Sequence, residues 1–179
     1  MKGFIKYNRG PLIGGLLATV FTSLGVFLLG NLSGYEAKQL IRASLNGITM
    51  LCNTIVLASA TILALLLTLL GISTGSTKSE LKNEHYKQVL TIAKFDTILF
   101  IGTLILFQLS NIPITEAENI PTSWFNLIYW ATLIFSSLLS GMMITVILML
   151  NNIIIGIIKI VGLGTDHPHI QKKDETDPD

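Results

Sequence analysis

The sequence predicts an all-α, polytopic membrane protein: a four-helix transmembrane bundle with cytoplasmic helical extensions. Three observations lead there. Only 13% of the 179 residues are charged while 50% are hydrophobic, with a mean hydropathy of +0.64; soluble domains carry roughly 25% charged residues. The charges are also segregated, because residues 10–35, 43–77, 97–115 and 119–158 contain no Asp, Glu, Lys or Arg. Finally, each of those stretches supplies, or nearly supplies, the roughly 20 apolar helical residues that cross about 30 Å of hydrocarbon.

Span one is expected over residues 11–32. Pro11 suits the first turn of a helix, and the glycines at 30 and 34 suit its end. Lys2, Lys6 and Arg9 ahead of it resemble the start of a signal peptide. The apolar run that follows, residues 12–29, exceeds the roughly 7–15 residues of a signal core, and no clear cleavage site succeeds it, so a retained helix is expected. Span two is expected over residues 43–72, closed by Gly71 and Gly75. Span three is expected over residues 92–109, stopped by Asn111 and Pro113. A helical lead-in precedes it, since Leu81, Val89 and Ile92 recur at helix-compatible spacing among Lys and Glu. Span four is expected over residues 123–158, with Ser123 as its N-cap after Pro121. Residues 1–161 thus form the transmembrane domain, and residues 162–179, almost without apolar content, a flexible cytoplasmic tail. No repeat relates the two halves, which gives no support to an inverted-repeat transporter.

Of the 12 Lys and Arg residues, only Lys38 and Arg42 fall in the loops on one side of such a bundle. Positively charged loops stay inside, so both termini are expected in the cytoplasm. Trp124, Tyr129 and Trp130 then lie at the outer end of span four, where interfacial aromatics belong. The Ile-, Leu-, Asn- and Lys-rich texture points to the plasma (inner) membrane of a bacterium.

Several function classes are excluded or disfavoured. A net charge of +1 leaves no excess for nucleic acid. Cys52, the single cysteine, allows no intramolecular disulfide, redox pair or cysteine metal cage, and reads as a small packing residue. His85, His167 and His169 fall in the cytoplasmic loop and tail, so they ligate no transmembrane haem, and two ligands in a tail make a poor metal site. Ser136, Ser137 and Ser140 have no base at depth to serve a protease. Neither the intramembrane Glu of small multidrug exporters nor the paired cysteines of claudins or quinone redox proteins is present. No catalytic residue, cofactor site or metal site is expected, and no enzyme.

What remains is polar but uncharged, apart from one acid. No ionisable group is expected at membrane depth. Asp96 is placed at the cytoplasmic mouth of span three, paired with Lys159 or Arg9 in an ion pair that pins the bundle; a gate or ion-binding role and a solvated carboxylate are the alternatives. The pairs Ser136/Ser140, Ser137/Gly141, Gly10/Gly14 and Ala60/Ala64 have the four-residue spacing that lets membrane helices approach closely. In span two Thr54, Thr61 and Thr68 recur every seven residues, beside a line through Asn46, Asn53 and Ala60. Such a stripe either packs against a helix or lines a pore. Asn53, Thr54, Thr61, Thr68, Ser140 and Asn151 are therefore the candidate pore-lining or helix-interface residues, Asn151 lying near the inner boundary. Glu36, Lys38 and Arg42 of the first outer loop are expected to pair with Glu116 and Glu118 of the second, for about 0–1 kcal/mol.

Two functions of different class follow. One is a homo-oligomeric channel or pore-forming subunit, with self-association in the lipid bilayer. The other is a non-conducting accessory or sensor subunit that binds a cytoplasmic protein partner through the loop around residues 73–88 or the tail.

Overall fold

The computed structural model describes residues 8–27, 34–75, 83–114 and 121–158, all of the regular structure being helical. Helix α1 spans Arg9–Phe27, α2 Gly34–Gly75, α3 Asn83–Ser110 and α4 Thr122–Ile157. Three segments, Tyr35–Gly71 in α2, Tyr86–Ser110 in α3 and Ser123–Ile157 in α4, are long and apolar enough to cross a membrane.

Helix boundaries depart from the expected spans where polar sequence continues a helix. α2 begins at Gly34 rather than near residue 43, with Glu36 in its first turn, where a negative charge suits the helix dipole. The added turns bury Ala37 and Ile41 against Phe125 and Tyr129 of α4. α3 likewise begins at Asn83, so Val89 and Ile92 of the lead-in are core residues, whereas Leu81 lies outside the described residues. Its end is a tightened turn, in which the Asn111 amide donates to the Phe107 and Gln108 carbonyls at 3.2 and 3.3 Å and the Ile112 amide to the Leu109 carbonyl at 3.3 Å. Pro113 then offers no donor to continue. α4 starts from Pro121 with no side-chain cap, which displaces the N-cap expected at Ser123. Pro121 already has the extended backbone that a cap requires, and its carbonyl accepts from the Trp124 amide at 3.0 Å.

Packing makes α4 the hub. It touches the other three helices, α2 also packs on α3, and α1 packs on α4 alone among the described residues. The buried face of α2 runs Ile48, Cys52, Ile55, Ser59, Ile62, Leu66, and that of α3 runs Val89, Ile92, Asp96, Leu99, Thr103, Leu106. Steps alternating between three and four residues keep one seam facing a neighbour over several turns, as in coiled coils. Val146, Met149, Leu150 and Ile153 of α4 complete this core. α1 lies outside it, with Phe21 83% exposed.

The contact of α1 with α4 is a close crossing. A Cβ added to Gly15 would stand 2.6 Å from the Gly141 carbonyl oxygen, and one added to Gly141 would stand 2.7 Å from that of Gly15. Only hydrogen fits at either position. Gly14 and Gly141 thus belong to a crossing with Leu148 and Thr19, while Gly10 meets nothing.

Candidate functional site

Among the described residues Asp96 is the one acidic or basic side chain in the core. It is 0% exposed, as is Ser59 of α2, whose hydroxyl lies beside its carboxyl. Among the described residues neither Asp96 oxygen nor the Ser59 hydroxyl has a hydrogen-bond partner. Two other core hydroxyls are satisfied locally: Thr103 donates to the Leu99 carbonyl at 2.8 Å and Thr145 to that of Gly141 at 2.9 Å. Back-bonding of this kind is how Ser and Thr sit inside apolar helices.

Asp96 lies inside the packing of the helices, not at an exposed mouth. Asp96 lies within the Tyr86–Ser110 segment, fourteen residues before Ser110, or roughly 21 Å along the helix. Its neighbour Ser59 falls near the middle of the charge-free stretch of α2. The reason is the helix face: Asp96 shares the buried side of α3 with Ile92 and Leu99, while Lys94, two residues away, is exposed. The expected pairing with Arg9 is absent. Arg9 is exposed at the start of α1, and α1 does not reach α3 among the described residues. Lys159, the other expected partner, lies outside the described residues.

The polar stripe of α2 points the opposite way. Asn53, Thr54, Thr61 and Thr68 are all exposed, as is Asn46. Each threonine hydroxyl donates to the carbonyl four residues back, Thr54 to Met50 and Thr61 to Leu57 at 2.8 Å and Thr68 to Ala64 at 3.0 Å. The stripe is therefore on the surface of the chain, outside the packing between its own helices. Asn151 is also exposed, and Ser140 half-buried. Of the small-residue pairs, Ser137 and Gly141 are both buried on α4, while Ala60 and Ala64 are both exposed on α2.

At the other end of the bundle, Lys38 lies over the Phe125 ring, 5.2 Å from its centre. Glu116 and Glu118, expected to pair with this loop, lie outside the described residues, as do His167 and His169. Tyr129 is buried, edge-on to Trp130 with ring centres 6.2 Å apart, and Trp124 is 60% exposed. Two cavities open here: one of about 230 Å³ among Ile41, Leu106 and Tyr129, and one of about 330 Å³ between α1 and α4 at Thr19, Trp130 and Ser137. Their linings are chiefly aliphatic and aromatic.

Sequence reasoning missed two residues. Ser59 is a single serine on a helix face of Ile, Leu and Cys, and its signal is its place four residues after Ile55, three before Ile62 and seven after Cys52. Gly15 was passed over in favour of Gly10 and Gly14; its signal is Thr19 one turn on, matching Gly141 and Thr145 on α4. No known protein family, curated protein or solved structure matches the chain.

Proposed function

We propose that this chain is a multi-pass protein of a bacterial plasma membrane, with four spans and both termini in the cytoplasm, that self-associates through α2 and forms a pore between its copies. Three helices long enough to span support the membrane assignment. α1 is proposed as the fourth span: its 19 residues, roughly 28 Å, run from Arg9 into a charge-free stretch that covers residues 10–35.

The observation that carries the pore is the outward face of α2. Asn46 and Asn53 present amides to the exterior with no side-chain hydrogen bond among the described residues, and Thr54, Thr61 and Thr68 run beside them at seven-residue intervals. Lipid offers an amide no partner, whereas a second copy or a column of water does. The interior of one chain is filled by Ile, Leu, Met and Val, so the proposed path runs between chains. Mass measurement in detergent and ion flux from reconstituted vesicles test it: a ring of four or more copies that conducts is expected, and a stable monomer without flux overturns it.

A non-conducting accessory subunit is favoured by a different observation. The three threonine hydroxyls are already satisfied by their own helix and require no water. Cysteines placed at 54, 61 and 68 in a Cys52→Ala background separate the two. Reaction of all three with a water-soluble thiol reagent supports the pore, and protection of all three within a stable oligomer supports the accessory subunit.

A further inference from the structure

The core of α2 and α3 contains a polar pair that the proposed pore does not use. We propose that Asp96, faced by Ser59, is a proton-binding site: the carboxyl holds one proton while α2 packs on α3, and gives it to water when water reaches that interface. The step is a simple ionisation, in which the O–H bond of the acid breaks, the proton passes to water and the carboxylate keeps the electron pair.

Four observations carry this. Both Asp96 oxygens are buried without a partner, and a bare carboxylate in such a place is among the costliest arrangements a protein can adopt. Among the described residues no counter-charge faces it from the elements packed on α3. α4 contains no Asp, Glu, Lys, Arg or His, and the charges nearest to Ser59 on the described part of α2 begin at Arg42, seventeen residues or roughly 25 Å away. On α3 itself Lys94 and Lys87 are exposed. The buried titratable groups on facing helices are the Cys52 thiol, two turns from Ser59, and the Tyr129 phenol in the separate cluster with Ala37 and Ile41.

The third observation concerns what kind of cation fits. A metal ion needs a cage of oxygens, six or so for the divalent ions, and the site offers two carboxyl oxygens and one hydroxyl. The next buried hydroxyl on α3, that of Thr103, is committed to the Leu99 carbonyl. The two cavities include neither Asp96 nor Ser59. A proton needs no cage and no volume. Fourth, Ser59 stands ready to accept: its oxygen is buried and unengaged beside the carboxyl, where an acid O–H can donate to it.

Infrared spectroscopy of the full chain in lipid vesicles, titrated from acid to alkaline pH, tests the site directly. At neutral pH the exposed carboxyls are ionised, so the expected result is a protonated-carboxyl band that is lost completely in Asp96→Asn and shifts in frequency in Ser59→Ala. It should persist when sodium is raised at constant pH. The Ser59→Ala shift assigns the band even if the Asp96→Asn variant does not fold. Absence of the band at neutral pH, its survival in Asp96→Asn, or an unshifted band in Ser59→Ala overturns the proposal. So does a band seen only in Lys159→Gln, which would make Lys159 the counter-charge, or one erased by sodium, which would make this a metal-cation site. The site stands independently of conduction, because the spectrum reads proton occupancy whether or not the oligomer passes ions.

Discussion

The contact of α1 with α4 and that of α2 with α3 are built on different physics. Where α1 crosses α4, Gly15 and Gly141 bring the backbones together, and Thr19 and Thr145, one turn beyond each glycine, donate back to those same glycine carbonyls at 3.0 and 2.9 Å. Every polar atom of that crossing named here is satisfied within its own helix. Where α2 packs on α3, branched and long aliphatic side chains fill the seam, and Asp96 and Ser59 interrupt it with three oxygens that have no partner. Lipid is as apolar as leucine, so close packing rather than the hydrophobic effect drives helices together in a membrane. The first contact satisfies that demand through shape. The second retains a polar liability in its centre, the kind of departure that a purely structural interface has no reason to keep.

The largest effect is expected from breaking the shape-based contact. Gly141→Leu forces a side chain into the Gly15 backbone and the Thr19 side chain, neither of which can be displaced without moving the helix. Overpacking costs about 1–3 kcal/mol where neighbours can shift, and a backbone contact belongs at the top of that range or above it. Thermal unfolding in detergent should show the loss. A cysteine pair across α1 and α4 should cease to crosslink while one across α2 and α3 continues. Retained crosslinking of both pairs would mean that the crossing is not what holds α1.

The second contact should respond with the opposite sign. Converting the polar pair to Asp96→Leu with Ser59→Ala removes unsatisfied buried groups and fills the seam with the residue types around it. Such replacements are neutral or stabilising, here by about 1–3 kcal/mol. The same unfolding measurement decides: a clear fall in stability would show that Asp96 has a strong partner in the folded protein.

How legible these contacts were from sequence follows from what each depends on. The helical class and three of the long apolar helices follow from charge segregation, since a 35-residue run such as 43–77 without a charged residue has few other homes. Helix starts were less legible. Tyr35–Arg42 is polar enough to read as a loop, and it is helical because Ala37 and Ile41 find a neighbour to bury against, whereas the lead-in before residue 92 was legible from the spacing of Val89 and Ile92. Asp96 was placed at a mouth because Lys94 stands two residues before it; its burial depends instead on which face of α3 meets α2. Its lone neighbour Ser59 depends on the antiparallel register of α2 and α3, a tertiary quantity that one sequence does not contain. The Thr54, Thr61, Thr68 repeat was plain in the sequence, yet its direction, outward rather than toward α3 or α4, is set by which face carries Cys52, Ile55 and Ile62.

Within the shape-based contact a smaller change sharpens the account. Thr145→Val keeps the branched outline that fits beside Gly15 and removes only the bond to the Gly141 carbonyl. If the crossing rests on shape, the cost should be about 0.5–1.5 kcal/mol, the net value of one hydrogen bond. A loss approaching that of Gly141→Leu would show that the hydroxyl makes a bond across the helices.

The smallest effect is expected on the surface that belongs to neither contact. Thr54, Thr61 and Thr68 face outward and bond only to carbonyls of their own helix. Changing all three to Val preserves shape and β-branching, touches no neighbouring helix of the same chain, and should leave thermal stability of the monomeric unit within about 0.5 kcal/mol per site. Any larger fall, measured at a detergent concentration that disperses oligomers, would place the stripe inside the fold and overturn its assignment as exposed. Repeated on the assembled protein, the triple variant reads the stripe's role between copies. If water runs along it, three hydroxyls replaced by methyls dry the path and flux falls while copy number holds. If instead the stripe packs copy against copy through shape, as α1 does on α4, Val in place of Thr changes neither quantity.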